Sequence, residues 1–276
     1  MAPITEPDFQ FIRQLVYDQS NIRLDEEKKA MVCSRLHRRI EDLGLASVGE
    51  YCALLKSRRD PEEVSHLIDA VATHFTSFFR EIEHFKFIKD TVVPAFRDRA
   101  TKQLPTFRAW CAACATGEEP YSLAMLLAAC FGTVDPVAWS IFATDISAEA
   151  IETARRGIYP ESRVELPNRR LLPRYFQVGR GDWLEHYRVK SEIRAQVEFQ
   201  RLNLLEPGPE QRERFHLILC RNVMIYFDAD TVDTLAARLS GQLEPGGYLI
   251  LGHSEQVHTL PAGLRRIKPS IYRRET

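Results

Sequence analysis

The stretch CAACATGEEPYS, Cys111 to Ser122, decides how the chain is read. It follows the apolar run FRAW, shrinks to small side chains up to Gly117, and then sets Glu118 beside Glu119 ahead of Pro120. An apolar run, a small-residue turn and an acidic start with proline make a strand, a loop and a helix in succession. In an open parallel sheet, loops of this kind sit outside the carboxyl ends of the strands, where ligands bind. Small residues let the backbone approach a ligand closely, and Gly117 permits a turn that larger residues resist. The spacing is not G-x-G-x-x-G, and two carboxylates at the helix start repel a pyrophosphate. A cationic or polyhydroxylated ligand suits this loop better.

Outward from it, short apolar runs alternate with helices. Candidate strands are FRAWCAA (107–113), AWSIFATD (138–145), VEFQRLN (197–203), FHLILCRN (215–222) and GYLILGH (248–253). Helices are expected from near Glu119 and over DADTVDTLAARLSGQL. Such alternation predicts an α/β fold with a mainly parallel sheet covered on both faces. The Arg- and Tyr-rich segment 155–196 interrupts the pattern and suggests a small β insertion, set near 176–199. Residues 1–90 read as helical. Phe11, Ile12, Leu15 and Val16 have helical spacing, Asp25 and Gly44 suit the ends of a second helix, and helices are expected near Ser47 and from Asp60-Pro61. The stretch HFTSFFREIEHFKFIKDTVVPAF (74–96) reads as exit and linker, and no strand is needed before 105. The expected domains are therefore a helical 1–90 and an α/β 91–276.

The 276 residues are 45% hydrophobic and 27% charged, with a formal net charge of -1, which argues against a surface built to hold nucleic acid. No secretory signal is legible, and the longest apolar run, LAMLLAAC, is less than half of the ~20 residues a membrane span needs. A cytoplasmic monomer without membrane insertion is expected. Cys111 and Cys114 form a CxxC, but no second pair stands at zinc-ligand distance, so the six cysteines read mainly as reduced and structural, redox chemistry being the alternative, and no metal is expected.

Asp145 ends the second candidate strand, where a carboxylate accepts hydrogen bonds from ribose hydroxyls. A ribose-binding carboxylate beside an acidic first loop suggests S-adenosylmethionine, whose sulfonium and amino groups are positive. As an alternative, Glu118, Glu119 and Asp145 are helix caps and solvent-facing charges.

The series FTSFFRE, CATGEEPYSLAM, FATDIS, CRNVMIYFD and LEPGGYLILGHSE, in this order, resembles the CheR-type chemotaxis receptor methyltransferases. KKAMVCSRLHRRIEDLGL and EYCALL extend the likeness to the helical part. The resemblance implies a Rossmann-like S-adenosylmethionine methyltransferase domain with a small β insertion, preceded by an all-helical domain. It implies O-methylation of glutamate side chains on chemoreceptors, with S-adenosylhomocysteine as product. Carried over residue by residue, Thr76 and Arg80 contact the methionine end of the cofactor, Glu118 its polar groups and Asp145 its ribose. Asn203, Leu204, Asn222 and Val223 frame the adenine and the remaining edge. Arg80 and Tyr226 are the candidates nearest the chemistry; Tyr226 either directs its hydroxyl to the methyl and the incoming carboxylate or packs under the next helix. His74 departs from the family, which has asparagine there, and puts the geometry at the amino-acid end in question.

In the second helix Lys28, Arg35 and Arg39 fall on one side, with Arg38 adjacent, while Val32, Leu36, Ile40 and Leu43 form a buried stripe. The basic side is either a solvated face or a docking surface for the acidic helices of a receptor. The insertion could tether a receptor's C-terminal tail peptide by adding a strand. A non-catalytic adaptor and a methyltransferase for small acids stay open as other readings.

Overall fold

The computed structural model describes residues 4–58, 60–72, 75–99, 106–132, 137–206 and 214–275. It divides into two compact units, Met1–Thr73 with Ile146–Glu149, and His74–Asp145 with Ala150–Thr276.

The first unit is built from α1 (Glu6–Ser20), α2 (Lys29–Asp42), α3 (Val48–Arg58) and α4 (Pro61–Val71). Thr5 caps α1 by accepting the Asp8 N–H, and Asp60 caps α4 by accepting the Glu62 N–H. Asp25 makes no such bond, because the chain enters α2 through a 3-10 turn over Glu26–Lys28. Phe9, Ile12 and Val16 form the buried face of α1, while Phe11 and Leu15 lie at its margin. They pack with Val32, Leu36 and Ile40 of α2, Tyr51 and Leu55 of α3, and Leu67 and Val71 of α4. Burial at i, i+4 and i+8 on α2 is what holds this short helix in place.

The second unit opens with α5 (Ile82–Phe87), a π-type turn (Ile88–Val92) and α6 (Val93–Arg99). This stretch is no linker: Phe78, Phe85, Ile88, Val92 and Phe96 are buried in the core of the second unit. Their apolar spacing runs across the expected boundary at 90, so the chain enters its second unit earlier than composition alone suggests. Next come β1 (Phe107–Cys111), α7 (Glu118–Cys130), β2 (Trp139–Asp145) and α8 (Ala148–Arg156). A small antiparallel sheet is made by β3 (Ile158–Pro160), β4 (Phe176–Val178) and β5 (His186–Val189), with α9 (Leu171–Tyr175) before β4 and α10 (Ser191–Arg194) after β5. The chain then returns through β6 (Val197–Arg201), β7 (Phe215–Cys220), α11 (Ala229–Gly241), β8 (Leu243–Leu251), β9 (Leu264–Lys268) and β10 (Ile271–Arg274). The insertion thus begins at 158, and 197–199, expected within it, belong to the main sheet.

The main sheet has the order β6-β2-β1-β7-β8-β10-β9. Its first five members pair in parallel, and β10 joins β8 and β9 antiparallel. From β1 the chain winds outward to β2 and β6, and later from β7 to β8 in the other direction. The loops after β1 and β7 therefore part from each other, the arrangement that opens a crevice at the carboxyl end of a doubly wound sheet.

At the opposite end, His216 stacks on Phe107 at 5.4 Å between centroids and meets Phe96 edge-on at 4.8 Å, while Nδ1 accepts the Arg108 N–H at 3.1 Å. Burial, followed by the Arg108 charge, pushes its pKa from 6.5 down to about 4. A folded value below the unfolded one gives stability that is present above pH 6.5 and is lost as pH falls toward 4. His216→Phe is expected to flatten this part of the stability curve measured by urea unfolding; an unchanged pH dependence contradicts that role.

Candidate active site

The loop of CAACATGEEPYS is shaped by its own small residues. Ala112 N–H donates to Leu219 O at 2.7 Å and Cys114 N–H to Thr144 O at 2.9 Å, so the loop stays attached to β7 and β2 as it leaves β1. Gly117 has φ 98°, and a Cβ there would stand 2.8 Å from Ala154 Cβ and 2.9 Å from the Tyr159 hydroxyl. No other residue fits both the angle and the space. Cys111 and Cys114 are buried, and burial holds their thiols well above the usual range, so they fill space and carry no thiolate chemistry.

Asp145 closes β2, is 9% exposed, and accepts the Ala115 N–H at 2.8 Å on Oδ2. Ala115 has φ 46°, a left-handed conformation held against its usual preference by this bond. The carboxylate expected at the ribose thus also anchors the first loop.

Glu118 and Glu119 are sealed from solvent and are not surface caps. Glu118 pairs with Arg163 on one oxygen and accepts the Thr116 hydroxyl at 2.7 Å on the other. Tyr159 donates to Thr116 O at 2.7 Å and Arg163 to Thr116 Oγ1 at 2.7 Å, so β3 and the turn after it clamp the loop. Burial pushes Glu118 above the usual carboxylate range against the pull of Arg163. Glu119 accepts from Arg221 Nη1 at 2.6 Å and is likewise raised by burial, with the Arg221 charge opposing.

Arg221 follows β7 directly and its side chain is 1% exposed. Besides Glu119, its guanidinium donates to Arg80 O at 2.5 Å and to Glu81 Oε2 at 3.0 Å. Glu81 also accepts Asn222 Nδ2 at 3.2 Å and the His253 N–H at 3.3 Å. Phe79 and Glu81 flank Arg80 with φ of 54° and 57°, and Asn222 has φ 58°. Three residues in a sparsely populated conformation, each costing of order 1 kcal/mol or more, persist because this ion network over-determines them. Buried Glu255 completes the brace, accepting N–H groups from Asn222 at 2.8 Å, Gly252 at 2.6 Å and Ile225 at 3.2 Å.

Of the residues singled out in the sequence, Asp145, Asn203, Leu204, Asn222 and Val223 all lie at or just beyond the carboxyl ends of β2, β6 and β7, and Glu118 opens α7. Asn203 shapes its own turn, accepting Leu205 N–H at 3.1 Å and donating to Glu206 Oε1 at 3.1 Å. Leu204 and Val223 rest on the core beside α11. Thr76 is half-buried, and Arg80 lies over the exposed Phe75 ring at 5.6 Å while donating to Phe75 O at 2.9 Å. Tyr226 is half-buried in the turn after Val223, next to Ile225, which is 53% exposed. His74 lies outside the described residues. In the first unit, Arg35 donates to Val71 O and Ala72 O at 3.1 and 2.7 Å, and Arg39 grips Glu63 through two bonds of 3.0 and 2.5 Å. Lys28 donates to Arg23 O at 3.1 Å, and Arg38 is exposed.

Arg163, Arg221 and Glu81 were not selected from the sequence. One signal was available: Arg221 ends the apolar run FHLILC, and a buried arginine demands carboxylates.

Residues 74–272 match the CheR methyltransferase, SAM binding domain, and residues 7–72 match the CheR methyltransferase, all-alpha domain. The chemotaxis protein methyltransferase of Escherichia coli K12 is 40% identical over 257 residues, covering 91% of this chain and 85% of the relative. That of Salmonella typhimurium LT2 is 39% identical, covering 93% and 86%. Chemotaxis protein methyltransferase 2 of Pseudomonas aeruginosa PAO1 is 38% identical, covering 97% and 93%. With both domains matched in order, the chain belongs to the CheR methyltransferase family, the S-adenosylmethionine-dependent methyltransferases of chemotaxis.

Proposed function

We propose that the protein esterifies glutamate side chains of methyl-accepting chemotaxis receptors in the cytoplasm, releasing S-adenosylhomocysteine, and so serves chemotactic adaptation. The observation that carries this reading is the single buried ion network that fixes Arg80, the first loop and Asn222 around the crevice between β1 and β7.

The donor set fits the cofactor. An ionised carboxylate has about four acceptor positions, so Asp145 can hold Ala115 and still receive ribose hydroxyls. Glu118, buried and paired with Arg163, is the loop carboxylate that an ammonium group would share with that guanidinium, and Asn203, Leu204, Asn222 and Val223 supply polar and apolar edges for the base. Thr76 and Arg80 take the carboxylate end of the amino acid. S-adenosylmethionine, when bound, supplies an electrophilic methyl, and attack by a glutamate oxygen breaks the carbon-sulfur bond to leave a neutral ester and a neutral thioether. No general base is required, because a glutamate with a reference pKa of about 4.3 is already ionised near neutral pH. The chain's task is to align the incoming carboxylate and exclude water, for which orientation can supply roughly 7–11 kcal/mol of the barrier. We assign Arg80 to orienting that carboxylate as well as the cofactor's, and Tyr226 to donating to it.

Receptor docking falls to the exposed end of the basic stripe. Arg35 and Arg39 make hydrogen bonds within the first unit, which leaves exposed Arg38 to face an acidic helix, with Lys28, which donates to Arg23 O, at the other end of the stripe. Burial is the largest influence on the Glu63 carboxyl and raises it, but the Arg39 and Tyr51 hydrogen bonds together with the Arg39 charge bring it below the usual range. Arg39→Glu is therefore expected to cost about 3 kcal/mol in unfolding experiments. Arg38→Glu should leave stability and S-adenosylhomocysteine affinity unchanged and slow receptor methylation by about threefold to tenfold, the scale of one exposed ion pair reversed. Equal methylation by Arg38→Glu contradicts docking through this face. A receptor's C-terminal tail peptide can add as a strand to the edge of β4, where Val178, Trp183 and Leu184 are exposed on the β4–β5 hairpin.

A further inference from the structure

Next to the network that braces Arg80 and Asn222 lies a group of side chains that the transfer reaction does not use as ligands. One ligand atom from each of Glu81, His84 and His253 lies within 4.8 Å of the other two, the one such trio among the described residues. His84 is 3% exposed. Its Nδ1 stands 3.3 Å from Glu81 Oε2 but outside hydrogen-bonding geometry, and no other group partners it. His253 Nε2 lies 3.9 Å from the same oxygen, and the two imidazoles meet edge to face at 4.5 Å.

Two imidazole nitrogens thus converge on one carboxylate oxygen. His84 Nε2 faces the buried Ser270 hydroxyl at 3.3 Å. With the proton on Nε2 and Ser270 as its acceptor, Nδ1 turns a lone pair toward Glu81. A ligating histidine shows the same arrangement, one nitrogen held by an outer partner and the other bare. Lone pairs facing lone pairs in a buried place call for a cation between them. The surrounding charge agrees: the carboxylates of Glu81 and Glu119 share one guanidinium, that of Arg221, and buried Glu255, which accepts backbone N–H groups, adds a third carboxylate beside them. Arg221 opposes a metal ion most directly, since it shares Glu81 Oε2, but it is outnumbered.

We propose that Glu81, His84 and His253 form a site for a divalent transition-metal ion of the zinc class, with three protein ligands and one open position. Two nitrogens and a carboxylate oxygen are a ligand set suited to zinc or cobalt rather than to magnesium or calcium. Ligands about 2.0–2.2 Å from a tetrahedral ion stand roughly 3.3–3.5 Å apart. Glu81 and His84 already meet that spacing, and His253, whose side chain is 53% exposed and whose Nε2 stands 3.9 Å from the shared oxygen, has to close in on them.

Cobalt(II) is the probe, titrated into the full-length protein and into His253→Ala and His84→Ala, each checked for folding by thermal melting. The expected result is one ion per chain with the intense visible bands of a tetrahedral site lacking sulfur, and affinity lowered at least tenfold in either variant. His253→Ala keeps the test open should the buried His84→Ala fail to fold. The proposal is overturned by a spectrum no different from cobalt in buffer, by sulfur-to-metal charge transfer that places the ion on cysteines, or by binding that His253→Ala leaves unchanged.

Discussion

Asp145→Ala is expected to lower the affinity for S-adenosylmethionine and S-adenosylhomocysteine about a hundredfold in calorimetric titration. Two losses combine. The ribose hydroxyls lose a charged acceptor, worth roughly 1.5–3 kcal/mol. The Ala115 N–H loses its 2.8 Å partner, so the loop that leads to Glu118 is no longer held in its left-handed turn. Together these amount to about 3 kcal/mol, or about two decades in affinity. Asp145→Asn separates the two effects: its amide oxygen can keep Ala115 while its acceptor capacity is halved, so an intermediate loss is expected. If Asp145→Ala binds as well as the wild type, Asp145 is a loop anchor alone and the ribose is held elsewhere.

Arg221→Met should be the most damaging substitution in the second unit. The side chain is 1% exposed and serves Glu119, Glu81 and the Arg80 carbonyl at once, so its removal strands two carboxylates in the interior. Breaking a buried pair in this way costs about 3–5 kcal/mol. For a unit of this size the melting temperature falls on the order of 10 °C. Arg221→Lys should rescue little, because an ammonium lacks the planar fork that reaches three acceptors. Adding Glu119→Gln to Arg221→Met should recover part of the loss, the coupling expected of residues in one network. A melting curve close to wild type for Arg221→Met contradicts the bracing role.

How much of this was legible follows from the range of each signal. Of the five parallel strands, β7 and the end of β8 were readable as continuous apolar runs, β1 and β2 as apolar runs with a few polar residues and β6 by alternation in VEFQR, and α1 to α4 because their buried positions repeat at helical spacing. The β9–β10 hairpin was missed: LRRIK and IYRR are short and carry charge at adjacent positions, and β9 is the edge strand of the sheet. The stretch 74–96 looked like a linker because aromatic residues in it, such as Phe78, Phe85 and Phe96, find their partners far along the chain. Glu118 and Glu119 were conspicuous as a pair, but their burial was invisible, since Arg163 and Arg221 are 45 and 102 positions away. Arg39 was assigned to the surface for the same reason, its partner Glu63 lying on another helix. Sequence reasoning recovers what neighbours in the chain decide, and buried ion pairs are decided by the fold.

The account rests most heavily on what receives the methyl group. The direct measurement is mass spectrometry of a chemoreceptor cytoplasmic fragment after incubation with the protein and S-adenosylmethionine. The account predicts base-labile methyl esters on glutamate side chains, formed at a rate that Arg80→Ala suppresses. Methyl groups found only on lysine, arginine or another atom, or no transfer from a preparation that binds S-adenosylmethionine, would contradict it.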